Sequence, residues 1–191
     1  MKHFLTMLLF VFLIALGNAF AQINKGVWMV GGNGTFLSSK IKFENSTYAA
    51  SSDRVSVSVS APIGYFFVDK FAVGLKPAYD KFKEESTGGG YSNENRYGLG
   101  PFARYYFLNK DNQFNILTDL GYQYGLYRFK PRRGHINTFF AGAGLTGFFN
   151  TSVGIEILAG YYFRKEVVKE SYTTTQNGFQ MSIGFQFYLE K

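Results

Sequence analysis

The chain has 191 residues, no cysteine and a formal net charge of +7 at pH 7, and its length fits a single domain. The lack of cysteine excludes a disulfide framework. Phenylalanine (22), tyrosine (14) and glycine (22) are abundant, and after the first segment no apolar run approaches the ~18 residues of a membrane helix.

The first segment, MKHFLTMLLFVFLIALGNAFAQ, has the three parts of a secretory signal peptide. Lys2 supplies positive charge, residues 5–16 are apolar, and Ala19-Phe20-Ala21 is a small-x-small cleavage site. A transmembrane anchor is the alternative, but the apolar run is short for spanning a bilayer. We therefore expect cleavage after residue 21, and because Gln22 follows, no lipid anchor.

The remainder, residues 22–191, is dominated by an alternation of apolar and polar side chains, which is typical of strands. Soluble strands have about 5–6 residues, whereas a tilted strand that crosses a bilayer needs about 9–11. The alternating segments reach or exceed the membrane length. They cover residues 26–37, 54–66, 71–82, 96–107, 113–127, 137–149, 153–164 and 177–189.

Short and long connections alternate between these eight segments. The short ones are 67–70, 108–112 and 151–153. The long ones are polar and cover 38–53, 83–95, 128–136 and 165–176. All tight turns then lie at one end, as in outer-membrane barrels. The pattern predicts an all-β, eight-stranded antiparallel up-and-down transmembrane β-barrel with short periplasmic turns and longer extracellular loops.

The strands must close because every backbone N–H and C=O group in hydrocarbon needs a partner within the protein. Eight strands make a narrow barrel that interior side chains fill. The apolar side chains occupy every second position of a segment, as Tyr122, Tyr124 and Leu126 do. They are predicted to face lipid and its interface, which tyrosine favours. A soluble lipocalin-like barrel would need the reverse parity.

The alternate positions, which face inward, carry charged side chains that would destabilise the barrel if they faced lipid. We expect Lys76 and Arg104 to meet Asp119 and Glu156 near the middle of the barrel, because buried charges are tolerated when paired and hydrogen-bonded. The functional interpretation of this cluster is a gate or a narrow ion path. The alternative, which we favour, is a packed polar core that plugs the lumen.

Several segments resemble the small outer-membrane β-barrel family, which includes OmpA/OmpX-like and porin-family proteins. The resemblance rests on APIGYFFVDKFAVGLKPAY (61–79), PFARYYF (101–107), GAGLTGFF (142–149) and the aromatic last strand. It implies a Gram-negative outer-membrane location and insertion by the barrel-assembly machinery, which recognises alternating aromatics such as Phe185 and Phe187. The usual terminal aromatic is missing, because Leu189-Glu190-Lys191 ends the chain.

A cluster of basic residues follows the fifth segment: Arg128, Lys130, Arg132 and Arg133. Arginine pairs with phosphate through two hydrogen bonds, so this segment is a candidate loop for binding lipopolysaccharide or a surface partner. Outer-membrane lipids and other outer-membrane proteins are therefore the expected partners. Nucleic acid is not expected, because the signal peptide exports the chain.

His135 is the histidine that remains after cleavage, and it raises the alternative of an enzyme that modifies lipid A or protein. Such an enzyme would need a nucleophile and a carboxylate beside it, and the outer loops offer Ser171 with Glu170 or Ser86 with Glu85. We expect a solvated loop histidine, no enzyme, no cofactor and no metal site, since one histidine without cysteine cannot build one convincingly. Three functions therefore remain open: a structural or interaction protein, a narrow pore, and an enzyme.

Overall fold

The computed structural model describes residues 23–45, 48–86, 91–129, 132–168 and 173–190. The predicted signal peptide, residues 1–21, lies outside the described residues. Within the described ranges, no helix has the length and apolarity that a membrane span requires.

Eleven strand segments account for almost all of the described chain. They are β1 Trp28–Asn45, β2 Tyr48–Ser60, β3 Ile63–Val68, β4 Phe71–Leu75, β5 Ala78–Ser86, β6 Tyr91–Leu99, β7 Pro101–Tyr106, β8 Phe114–Phe129, β9 Arg132–Phe148, β10 Val153–Val168 and β11 Thr173–Leu189.

These segments form eight barrel strands, because β2 with β3, β4 with β5, and β6 with β7 are each one strand interrupted once. Proline lacks the N–H that a ladder needs. Pro62 and Pro77 lie within the first two interruptions, and Pro101 directly follows the third, at Gly100. The ladder nevertheless continues, since Ala61 N donates to Pro77 O at 3.0 Å and Gly31 N donates to Pro62 O at 2.8 Å. The predicted strand count is therefore confirmed.

The sheet closes on itself. Each barrel strand pairs antiparallel with its neighbour in sequence, and the last strand, β11, pairs with β1 from Trp28↔Leu189 to Thr35↔Ser182. Closure pairs the two terminal strands with each other, so the barrel wall has no unpaired edge strand.

The two faces of the wall have the predicted parity. Val57, Ile157 and Phe185 lie on the outside, each about half exposed (50%, 49% and 52%), whereas Arg104 and Glu156 are buried inside (0% and 1%). The apolar exterior and polar interior exclude the lipocalin-like alternative.

The long connections differ from the prediction. Residues 38–53 were predicted as a loop, yet β1 runs to Asn45, β2 begins at Tyr48, and Phe43 pairs with Ala50. The segment 128–136 likewise extends the β8–β9 hairpin. A polar stretch can be a loop, but it can equally be a hairpin with water on both faces, because antiparallel backbone pairing needs no apolar side chains. We call this end of the barrel the hairpin end.

The opposite end, which we call the turn end, holds the tight turns and the first described residues. Lys70 has a positive φ of 67°, and its Nζ donates to Asn109 Oδ1 of the next turn at 2.7 Å. Residues 23–27, which precede β1, contact this end: Lys70 N donates to Ile23 O at 2.8 Å, and Gly26 N donates to Phe66 O at 2.9 Å. Ile23 is thereby buried in the core.

Candidate functional site

The centre of the lumen is an ion-pair network around Arg104. Strand register sets its first contact, because Arg104 on β7 lies directly opposite Asp119 on β8. Arg104 Nε and Nη2 donate to Asp119 Oδ2 at 3.0 and 2.8 Å. Both groups point inward because they share the polar parity of their strands.

Glu156 approaches the same guanidinium from β10. Arg104 Nη1 donates to Glu156 Oε2 at 2.7 Å, and Nη2 donates to Glu156 Oε1 at 3.1 Å. This two-oxygen geometry is the strongest that arginine makes with a carboxylate. The guanidinium therefore joins strands that are not neighbours in the wall.

Lys76 completes the network from the interruption between β4 and β5. Its Nζ donates to Asp119 Oδ1 at 2.8 Å and lies 5.1 Å from the centre of the Phe102 ring. The structure thus brings together all four charged residues of the predicted interior cluster. Two cations and two anions balance, as burial of such groups requires.

An aromatic layer lies between this network and the turn end. Arg104 Nη1 donates to Tyr106 Oη at 3.5 Å, and the hydroxyls of Tyr106 and Tyr188 are 2.9 Å apart. The layer also contains fully buried apolar side chains: Ile23, Met29, Phe66, Leu117 and Phe148. Sequence reasoning missed this layer because it assigned the inward parity to small and polar residues, although Tyr106 and Tyr188 have that parity.

A second set of charges lies nearer the hairpin end. Arg96 Nη2 is 3.1 Å from Glu166 Oε2, and Arg164 Nη2 is 3.8 Å from Asp80 Oδ2. Glu166 was predicted to lie in a loop, but β10 continues to Val168, so Glu166 keeps the inward parity of Arg164. The lumen therefore contains two ionic layers rather than one.

A polar cavity of about 70 Å³ lies between the two ionic layers. Half of its sixteen lining residues carry a hydroxyl or an amide: Asn33, Thr35, Ser58, Ser60, Gln123, Thr138, Gln180 and Ser182. Lys76 lines it next to the central network, and Asp80 and Arg164 line it next to the outer charges. The volume suits a few water molecules or a small polar solute.

The basic segment is part of a hairpin. Arg128 pairs with Arg133, and Phe129 pairs with Arg132, in the β8–β9 ladder. Lys130 lies outside the described residues, and so do the side chains of the three arginines. The structure therefore fixes their backbone position at the hairpin end and leaves phosphate binding there a proposal.

His135 does not lie in a loop, so the predicted placement is wrong. It is part of β9, opposite Leu126 of β8, and its ring stacks on Tyr124 with centroids 5.9 Å apart and planes at 21°. Ser171 and Glu170 lie outside the described residues, as do the side chains of Ser86 and Glu85. No described carboxylate or hydroxyl nucleophile is hydrogen-bonded to this histidine.

The chain is similar to solved outer-membrane proteins. With the outer membrane protein OprG from Pseudomonas aeruginosa it has a TM-score of 0.61 and 14% sequence identity, covering 88% of this chain and 98% of that chain. With Neisserial surface protein A (NspA) the TM-score is 0.45 and the sequence identity 14%, covering 85% of this chain and 97% of that chain. With the N-terminal β-barrel domain of Pseudomonas aeruginosa OprF the TM-score is 0.43 and the sequence identity 15%, covering 86% of this chain and 98% of that chain.

No protein-family model and no curated protein matches the chain by sequence. The OprG comparison is one of fold, since identity is low over nearly the full length of both chains. Together with the closed antiparallel topology, it confirms the fold class predicted from the alternating segments. The chain therefore has the fold of a small, eight-stranded outer-membrane β-barrel.

Proposed function

We propose that the chain is an integral protein of the bacterial outer membrane, with the turn end in the periplasm and the hairpin end outside. The apolar wall supports this placement. Tyrosine, tryptophan and phenylalanine lie towards both ends of that wall, where amphipathic rings meet the membrane interfaces. They include Trp28, Phe67 and Tyr105 at the turn end, with the partly exposed Tyr65 between the rings of Trp28 and Phe67, and Tyr79, Tyr97, Tyr122 and Tyr161 towards the hairpin end.

The proposed role is structural: a closed barrel that anchors extended hairpins on the cell surface, alone or within a larger outer-membrane complex. The observation that carries this proposal is the Arg104 network, which links β7, β8 and β10 across the lumen. The aromatic layer, which lies between this network and the turn end, fills the lumen a second time with buried side chains. A solute would have to separate buried ion pairs and then displace packed rings, and each step is costly.

A narrow channel is the second candidate, and the polar cavity supports it. The cavity has a charged group at each side, and the Lys76 side chain is still 12% exposed. Movements of Lys76 and Arg104, and also of the aromatic layer, would be needed to extend this cavity to the turn end.

Conductance in planar bilayers separates the two candidates. We expect no discrete current steps from the purified protein, provided that it runs as a folded, heat-modifiable band on a gel. The variant Arg104→Ser/Tyr188→Ala should conduct, because it removes the centre of the network and one ring of the aromatic layer. Discrete steps from the unaltered protein would contradict the closed lumen.

Location is tested separately by cell fractionation. We expect the protein in the outer-membrane fraction, with a different gel mobility before and after boiling. Recovery in the soluble fraction would contradict the proposal. The basic hairpin at residues 128–133 is the proposed surface for lipopolysaccharide or other outer-membrane proteins, and affinity capture in mild detergent tests the protein partners.

A further inference from the structure

A repeated pair of side chains marks one level on the outside of the barrel. Tyr79 Oη donates to Asn95 Oδ1 at 3.0 Å, and Tyr122 Oη donates to Asn137 Oδ1 at 2.6 Å. A third pair, Tyr161 with Asn177, has a distance of 2.9 Å. In each pair the asparagine is nearer the hairpin end. The recurrence on three hairpins indicates where the apolar wall meets polar surroundings.

Exposed lysines occupy the same level. Lys81 lies opposite Asn95 in the β5–β6 ladder, and Lys165 lies opposite Asn137 in the β9–β10 ladder. Both side chains are on the outer face, beyond the tyrosine rings. A lysine at this position keeps its ammonium group in the polar layer while its methylene groups lie along the apolar wall.

A cleft on the outer wall joins these features around Lys165. It has a volume of about 220 Å³ and its lining includes Tyr122, Asn137, Phe139, Phe163, Lys165 and Thr175. The exposed lining is almost entirely apolar, and Phe139 and Phe163, which contribute to it, are about half exposed (47% and 52%). Lys165, Thr175 and the Tyr122–Asn137 pair also line the cleft, but their polar atoms contribute very little of its exposed surface.

We infer that this cleft binds one phosphate-bearing lipid of the outer leaflet. The phosphate lies at the Lys165 ammonium group, the Thr175 hydroxyl and the Tyr122–Asn137 pair flank the headgroup, and an acyl chain packs on Phe139 and Phe163. This inference rests on the proposed outer-membrane location. It adds a binding site that lies on the wall rather than on the basic hairpin.

The arrangement fits an anionic lipid better than a protein partner, for two reasons. A basic side chain near a membrane surface attracts anionic headgroups with a free energy of about 1 kcal/mol. The apolar cleft is also part of the lipid-facing wall, so an acyl chain would run along the barrel without leaving the bilayer.

The test uses the purified barrel in a neutral detergent, with lipid A or dephosphorylated lipid A added. The readout is the temperature at which the heat-modifiable folded band disappears. We expect lipid A to raise this temperature more than its dephosphorylated form does. For Lys165→Gln, the lipid A concentration for half of the effect should rise about fivefold, whereas Lys165→Arg should behave like the unaltered protein.

Lys110→Gln is the matched control, because Lys110 is an exposed lysine in a turn at the other end of the barrel. It should leave the lipid effect unchanged. An equal response of Lys165→Gln and the unaltered protein, or equal stabilisation by both lipids, would overturn the inference. The lipid experiment scores only folded barrels and leaves the lumen unaltered. Conductance of the unaltered protein would refute the closed lumen, but a lipid A effect that depends on Lys165 would still stand.

Discussion

Arg104 and Asp119 face each other across the β7–β8 ladder and form two hydrogen bonds in the middle of the barrel, with both side chains fully buried. The same guanidinium also binds Glu156 on the far wall. A single inward residue therefore connects three barrel strands. Loss of this side chain would leave two buried carboxylates without their main partner.

Replacing Arg104 with methionine should destabilise the barrel by about 3–5 kcal/mol, because Asp119 and Glu156 would remain buried without their main partner. A urea titration followed by the fluorescence of Trp28, the chain's one tryptophan, measures the free energy of unfolding. Lys110→Met, at an exposed turn, is the control and should change it little. A loss of less than 1 kcal/mol for Arg104→Met would show that the network does not stabilise the fold.

Replacing Lys76 with methionine should have a smaller effect, about 1–3 kcal/mol. Lys76 makes one bond to Asp119, which keeps both of its bonds to Arg104. The double variant Lys76→Met/Arg104→Met should deviate from the sum of the single effects, since both residues share Asp119. Additive losses in the same urea titration would argue against a shared network.

The sequence predicted the wall and the central charges well, because both follow from the two-residue period. Val57 and Ile157 point outward, and Lys76, Arg104, Asp119 and Glu156 meet inside. The period does not reveal which inward positions are apolar, since packing against the opposite wall decides this. The aromatic layer of Tyr106 and Tyr188 was therefore missed.

Strand ends were also poorly predicted. Glu166 and Arg128 lie in polar stretches that were predicted as loops, yet both belong to long hairpins. Towards the hairpin end, backbone pairing continues through polar stretches in which no apolar periodicity marks the strand. The buried position of Ile23 depends on how residues 23–27 contact the tight turn at Lys70, and no local signal predicts that.

Replacing Ile23 with alanine should lower the free energy of unfolding by about 2–5 kcal/mol, the usual range for a buried isoleucine. The side chain packs with the aromatic layer at the turn end, so its loss leaves a cavity there. Lys25→Ala is a neighbouring control, because its side chain is exposed while its backbone N–H keeps the bond to Asp69 Oδ1. Equal, small effects of the two variants on thermal unfolding would contradict burial of Ile23.

An arginine in place of Ile157 should destabilise the membrane-inserted barrel by about 2–4 kcal/mol, because the side chain would face hydrocarbon near the midplane. The same change at Phe67, an exposed residue close to a turn, should cost only about 0–1 kcal/mol near the interface. Unfolding in lipid vesicles measures both values. Equal losses at the two positions would mean that depth in a bilayer does not set the energetics.

The most direct test of the account is collision accessibility along β10 in reconstituted bilayers. The chain has no cysteine, so single cysteines introduced at residues 154–160 can each carry one spin label. We predict that oxygen, which concentrates in lipid, broadens the signal most at positions 155, 157 and 159 and least at 154, 156, 158 and 160. A flat profile, or one with the opposite parity, would show that this face of the strand does not contact lipid and would contradict the membrane-spanning barrel.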